Sequence, residues 1–323
     1  MKVPALLLAA TALTGEAAAQ EVRVTAADGS GERAIGAAFS PAWSPDGARI
    51  AYIGGERAEI FTAAPDGTGV ARLAQIPDVV ALAWSPDGSR LAYAAQRQGL
   101  TRLGVVNADG TGATTLARDV NEDFATPSWS PDGRRLAFVR GEADRSRLAV
   151  VDADGGGLRT LRRITLDHDE GGAARWSPDG SRIAYVDARG GRFNVFTIRP
   201  DGTGVRRVGR TSCGLDPAWS PDAAKLACIG LARRDGKLRV ALNIVGRDGR
   251  IRRSVAYGGR LAAPAWSPDG TRLTYLRLRS SGASLRVIDA DGRNHRLLTR
   301  ASALGTVAWS PDSTRLAYGT VTS

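Results

Sequence analysis

The sequence predicts an all-β fold, a closed seven-bladed β-propeller of four-stranded blades with one blade shared between the N- and C-termini. Three observations carry this prediction. Tryptophan occurs at positions 43, 84, 129, 176, 219, 266 and 309, each time opening a Trp-Ser-Pro-Asp motif, and nowhere else. Thirty-nine glycines and 15 prolines punctuate the chain too often for long helices. The two chain ends hold complementary halves of one repeat.

Residues 1–19 read as a signal peptide: Met1-Lys2, an apolar run from Pro4 to Leu13, and Ala17-Ala18-Ala19 before a cut preceding Gln20. An N-terminal helix of the mature fold is the other reading. No later stretch reaches the ~18 apolar residues of a membrane span, so no transmembrane segment is expected. Residues 20–323 form a single propeller domain. Its start, Glu21-Val22-Arg23-Val24 running to Asp28-Gly29, reads as the third and fourth strands of a blade. The final repeat, stopping after Arg315-Leu316-Ala317-Tyr318, supplies the first and second. Sharing that blade fastens the ring without leaving exposed edges.

Each unit follows one grammar: Ala-Trp-Ser-Pro-Asp-Gly, then Arg-(Ile/Leu)-Ala-(Tyr/Phe), a loop, an alternating apolar segment such as Leu148-Ala149-Val150-Val151, and an Asp-Gly turn before a last short strand. Proline presets φ, aspartate bonds back to the backbone, and glycine takes the left-handed conformation, so Ser-Pro-Asp-Gly turns the first strand into the second. Asp66-Gly67, Asp109-Gly110, Asp154-Gly155, Asp201-Gly202, Asp248-Gly249 and Asp291-Gly292 do the same between the third and fourth. Ala223 and Ser313 replace the glycine in two repeats, a cost of ~1 kcal/mol each if the backbone stays left-handed.

The tryptophans, fixed at the end of the innermost strand, read as repeat core packed between blades rather than as carbohydrate-stacking platforms. The Asp152/Asp154 and Asp289/Asp291 pairs are turn residues, because a calcium loop needs about six oxygen ligands and no carboxylate follows at the required spacing. Cys213 and Cys228 flank the Trp219 hairpin, roughly diagonal on neighbouring strands. Export would let them pair, worth ~3 kcal/mol. Alternatively Cys228 is a small buried hydrophobe where other repeats carry Tyr or Phe.

Net charge is +11, almost all from arginine. Residues 20–171 carry 17 basic and 21 acidic side chains, whereas residues 172–323 carry 26 and 11, with no glutamate. In a ring this makes one basic sector, which either attracts an anionic partner or is simply a solvated surface. Nucleic acid is not expected, since no aromatic residues interleave these runs to stack bases. Six residues before each Trp from Trp84 onward stand Asp78, Asp123, Glu170, Cys213, Arg260 and Ala303. If these ring a channel mouth, Asp78, Asp123 and Glu170 form an acidic arc facing Arg260, extended by Asp167, His168 and Asp169, where a partner's cationic group would dock. Exposed loop charges without a ligand are the competing reading.

Pro217-Ala218-Trp219-Ser220-Pro221-Asp222 and Pro264-Ala265-Trp266-Ser267-Pro268-Asp269-Gly270 resemble the repeat of the TolB-type, or WD-like, propeller family. The resemblance spans residues 21–321 and implies a propeller without the N-terminal α/β domain that TolB carries. It further implies a partner that is an envelope protein, such as a lipoprotein. Prolyl-oligopeptidase relatives have similar repeats, but no Gly-x-Ser-x-Gly elbow occurs here. Oligogalacturonate lyases also resemble the pattern and look like metal enzymes built on several histidines, against His168 and His295 alone here. The expectation is an exported, monomeric, envelope-associated protein, periplasmic or extracellular. It would act without catalysis, cofactor or metal as a scaffold binding an envelope protein or an anionic envelope polymer. The alternative is a divergent propeller enzyme, a hydrolase or lyase acting on a glycan or small molecule with carboxylates as acid and base.

Overall fold

A computed structural model describes residues 19–121, 126–141, 145–166, 174–189, 192–209 and 213–322. The strands are β1 (Ala19–Ala26), β2 (Arg33–Gly36), β3 (Ala38–Trp43), β4 (Ile50–Gly54), β5 (Glu59–Ala63), β6 (Ala71–Ala74), β7 (Val79–Trp84), β8 (Arg90–Arg97), β9 (Leu100–Asn107) and β10 (Thr114–Val120). Next come β11 (Ser128–Trp129), β12 (Arg135–Arg140), β13 (Arg147–Asp152), β14 (Arg159–Arg163), β15 (Arg175–Trp176), β16 (Ile183–Arg189), β17 (Arg192–Ile198) and β18 (Arg206–Val208). The chain continues through β19 (Leu215–Trp219), β20 (Lys225–Arg234), β21 (Lys237–Gly246), β22 (Ile251–Tyr257), β23 (Arg260–Trp266), β24 (Arg272–Arg279), β25 (Gly282–Asp289), β26 (Arg296–Ala301), β27 (Ala303–Trp309) and β28 (Arg315–Thr322).

These strands form small antiparallel sheets in chain order: β3 to β6, β15 to β18, β19 to β22 and β23 to β26. The meander β7 to β10 and the meander β11 to β14 are joined into one sheet by the single pair Val120↔Arg140. The remaining sheet runs β2-β1-β28-β27, so the two ends of the chain complete one sheet, with β1 and β28 in register from Ala19↔Thr322 to Ala26↔Arg315.

Every Ser-Pro-Asp-x turn closes by the same bonds. In the first, Ser44 N–H donates to Arg49 O at 2.8 Å and Gly47 N–H to Ser44 O at 2.9 Å. The Ser44 hydroxyl donates to Asp46 Oδ1 while accepting from Arg49 N–H, and Asp46 Oδ1 accepts from Ala48 N–H. The serine is therefore a buried bracket across the hairpin rather than a surface residue. The fourth turn position is left-handed in every repeat, including Ala223 (φ 55°) and Ser313 (φ 61°).

Packing between sheets repeats as well. The seven tryptophans keep only 6 to 9% exposure. The indole N–H of Trp84, Trp129, Trp219, Trp266 and Trp309 donates to the main-chain carbonyl of Ala42, Ala83, Arg175, Ala218 and Ala265, the residue just before the preceding tryptophan. A guanidinium covers the ring: Arg49 lies over Trp84, Arg90 over Trp129, Arg135 over Trp176, Arg272 over Trp309 and Arg315 over Trp43, all within 5.3 Å of the ring centroid. In these five repeats the arginine at the start of the second strand thus reaches across to the next repeat, adding a cation–π contact to the apolar burial.

Candidate functional site

Four of the six positions that stand six residues before a tryptophan are among the described residues: Asp78 directly precedes β7, Cys213 precedes β19, Arg260 opens β23 and Ala303 opens β27. Asp78 is exposed, in a left-handed conformation (φ 61°), with its N–H donating to Arg57 O and its carbonyl accepting from Gln96 N–H, both at 2.8 Å. Arg260 is exposed, and no ion pair joins it to Asp78 among the described residues. Asp123, Asp167, His168, Asp169 and Glu170 lie outside the described residues. Cys213 and Cys228 are joined in a disulfide with Cα atoms 5.4 Å apart, both buried in the core beside Trp219. Among the described residues no three His, Cys, Asp or Glu side chains are grouped to hold a metal ion. No helix is long and apolar enough to cross a membrane.

A second set of charges emerges only in three dimensions. The strands that end in tryptophan touch one another in succession, β3 to β7, β7 to β11 and onward to β27, which in turn touches β3. The residue before Trp is alanine in five repeats and Ser128 in a sixth, but Arg175 in β15. Facing it from β19 is Asp216, held left-handed (φ 49°) in an irregular stretch of that strand between Leu215 and Ala218. Both side chains are half-buried. Desolvation pushes the Arg175 guanidinium below its usual range and the Asp216 carboxyl above its own. Their mutual attraction opposes both shifts without overcoming them. Arg175 Nη1 makes only long bonds, 3.4 Å to Thr126 O and 3.5 Å to Ala174 O, whereas Asp216 Oδ2 accepts from Ala263 N–H at 3.1 Å. The break in an otherwise small-residue column was visible in the sequence. Its approach to Asp216 depends on the strand bulge, which no residue pattern announces.

The basic sector presents its arginines on the outer edge strands β18, β22 and β26, and β14 of the preceding half does the same. β14, β18, β22 and β26 each have one neighbour only, and they expose Arg159, Arg206, Arg207, Arg252, Arg253, Arg296 and Arg300. Several reach sideways to the Asp-Gly turn of the next sheet: Arg159 to Pro200 O, Arg253 to Asp291 O and Arg296 to Asp28 O. These acceptors are main-chain carbonyls, so the bonds orient the guanidinium groups without cancelling their charge. Exposed cations on edge strands also guard against edge-to-edge pairing.

Comparison with known proteins agrees with this architecture. The putative TolB of Agrobacterium tumefaciens aligns with 95% of this chain and 99% of its own, at 16% identity and a TM-score of 0.56. TolB of Acinetobacter baumannii aligns over 94% of this chain, which spans 65% of that longer protein, at 15% identity and a TM-score of 0.57. An oligogalacturonate lyase in complex with manganese aligns over 94% of this chain and 98% of its own, at 14% identity and a TM-score of 0.65. At these identities the likeness is one of fold. No curated protein matches the sequence. The family model of the TolB beta propeller domain matches residues 10–269, which carry six of the seven Trp-Ser-Pro-Asp motifs, and the chain belongs to that family.

Proposed function

We propose that this protein is a closed seven-bladed propeller, exported to the cell envelope, that works without catalysis as a binding platform for an envelope protein or an anionic envelope polymer. Ring closure is supported by the shared sheet of β1 and β28 and by the contact of β27 with β3. The observation that carries the binding role is the arginine edge. On three of the outer strands Arg159, Arg253 and Arg296 donate to main-chain carbonyls rather than to carboxylates, which leaves their field available to an anionic partner. The loop-side carboxylate Asp78 and Arg260 are the corresponding contacts for a protein docking at the other end of the disc.

The test is capture of residues 20–323 against envelope extract of the source, with crosslinking and elution at low and high salt. A discrete protein retained at high salt supports a protein partner. Material released by ~0.5 M salt supports screened arginine contacts with an anionic polymer. Replacing Arg206, Arg207, Arg252 and Arg253 with glutamate should abolish the salt-sensitive capture, and capture unchanged by that substitution would sink the edge assignment.

One observation favours a second reading, that of a divergent propeller enzyme acting on a glycan or small molecule. Asp216 is a desolvated carboxyl with a raised proton affinity beside a cation, the profile of a general acid. Turnover of any glycan by the wild-type chain that disappears in Asp216→Asn would establish it, and affinity without turnover would remove it.

A further inference from the structure

Two repeats break the arginine-over-tryptophan rule. Arg182 donates to Thr197 Oγ1 and Gly204 O, and Trp219 is covered instead by Arg247, at 5.8 Å. In the next repeat the position held by Arg49, Arg90, Arg135, Arg182, Arg272 and Arg315 is Lys225, at the start of β20. Among the described residues this leaves Trp266 as the tryptophan with no cation stacked on its ring. A cavity of about 390 Å³ lies there, bordered by Lys225, Arg252, Arg253, Trp266, Ala290 and Asp291.

The location follows from the repeat. Arg49 and Arg90 send Nη1 to Ala108 O and Ala153 O, the alanines of the next repeat's Ala-Asp-Gly turn. The equivalent alanine for Lys225 is Ala290, which borders the cavity. The shorter, point-charged lysine neither stacks flat on an indole nor forks between two carbonyls, so Trp266 borders the cavity with no guanidinium stacked on its ring.

The charges around it fix the chemistry of a guest. Arg252 is paired with Asp248 at 2.8 Å. Arg253 donates to the carbonyl of Asp291, and its charge is left uncompensated. The Asp291 carboxylate is engaged by the N–H and guanidinium of Arg293. The Lys225 ammonium makes no hydrogen bond or ion pair among the described residues and attracts the Asp222 carboxylate only at longer range. An aromatic face bordered by two cations with no direct carboxylate partner rejects a cationic guest and suits a flat anion.

We propose that this cavity binds a small aromatic carboxylate, its ring against Trp266 and its carboxylate bridging Lys225 and Arg253. The site lies on the turn side of the molecule and shares Arg253 with the arginine edge; Lys225→Arg leaves that edge intact, so its effect on the site is distinguishable from failure of the edge assignment.

The experiment follows the seven indole N–H resonances of residues 20–323 by NMR, with Trp266 assigned through Trp266→Phe, during titration with benzoate and, separately, benzamide. Saturable movement of the Trp266 resonance with benzoate is expected, with benzamide about tenfold weaker for want of charge-assisted bonds. Lys225→Arg is the deciding variant. It restores the repeat's own residue, so it should raise the melting temperature while removing benzoate binding. A Trp266 resonance that does not move, that moves equally with benzamide, or that responds to benzoate unchanged in Lys225→Arg overturns the proposal.

Discussion

Ring closure can be tested at one contact, Arg315 over Trp43, which joins the last repeat to the first. The guanidinium carbon lies 5.0 Å from the ring centroid, and the arginine is half-buried. A partly desolvated cation–π contact is worth about 1–2 kcal/mol, and the packed methylene stem adds about 1 kcal/mol. Arg315→Ala should therefore cost about 2–3 kcal/mol, a fall in melting temperature of roughly 4–6 °C at the ~2 °C per kcal/mol of a chain this size. Arg90→Ala is the internal reference. Its side chain lies over Trp129 and also donates to Ala153 O and Gly133 O at 3.1 Å, so it should cost about 2 kcal/mol more. A double-mutant cycle with Trp43→Leu, read by thermal and urea unfolding, isolates the pair and should return a coupling of about 1–2 kcal/mol. A cost for Arg315→Ala below about 0.3 kcal/mol, with no coupling to Trp43, would mean that the first and last repeats do not meet and that the ring is open.

Three further outcomes follow from the turns and the disulfide. Bonding from the Ser85 and Ser310 hydroxyls and from local N–H groups holds Asp87 and Asp312 at about 2, and the other Ser-Pro-Asp aspartates are lowered in the same direction. A folded value below the unfolded ~3.9 stabilises fully above that value and is lost as pH falls toward 2. Melting temperature should therefore be level from pH 7 to 5 and drop between about pH 4 and 2; a drop complete above pH 4.5 would contradict this. Ala223→Gly should be neutral within about 0.5 kcal/mol, because relief of ~1–2 kcal/mol of left-handed strain is offset by a lost buried methyl and a freer unfolded chain. Ser313→Gly should fare about 1 kcal/mol worse in denaturant unfolding, since the Ser313 hydroxyl accepts from Asp269 N–H at 3.0 Å. Reducing Cys213–Cys228 opens a loop with a sequence separation of 15 and should cost about 3 kcal/mol; equal melting curves with and without reductant would exclude that contribution.

The fold was legible because its units are nearly identical. Trp-Ser-Pro-Asp fixed the first hairpin and Asp-Gly the second, and the half-repeats at the two ends paired as β1 with β28. The sequence placed the tryptophans in the core but did not disclose what covers them, since an arginine beside an Ile-Ala strand reads equally as a solvated side chain. Of the positions six residues before Trp, Arg260 and Ala303 open strands and Asp78 directly precedes one, yet Cys213 points into the core while Asp78 is exposed. Counting along a chain finds equivalent backbone positions. It does not find equivalent side-chain environments, because the bulges three residues before Trp turn the strand locally.

In a protein built from repeats, this difference directs attention to the exceptions. A residue obeying the consensus is explained by the packing every blade shares, and its presence says nothing about a task. Arg175 in a column of alanines, Asp216 opposite it, and Lys225 in a column of arginines are not explained that way. Each weakens the common packing: two desolvated charges replace small side chains, and Trp266 borders a cavity with no guanidinium stacked on its ring. A departure from the repeat that weakens its shared contacts is the mark of a position shaped by something other than stability. If Lys225→Arg stabilises the chain, as the repeat implies, then the lysine is retained against a cost, and the cavity over Trp266 is the place to look for what offsets it.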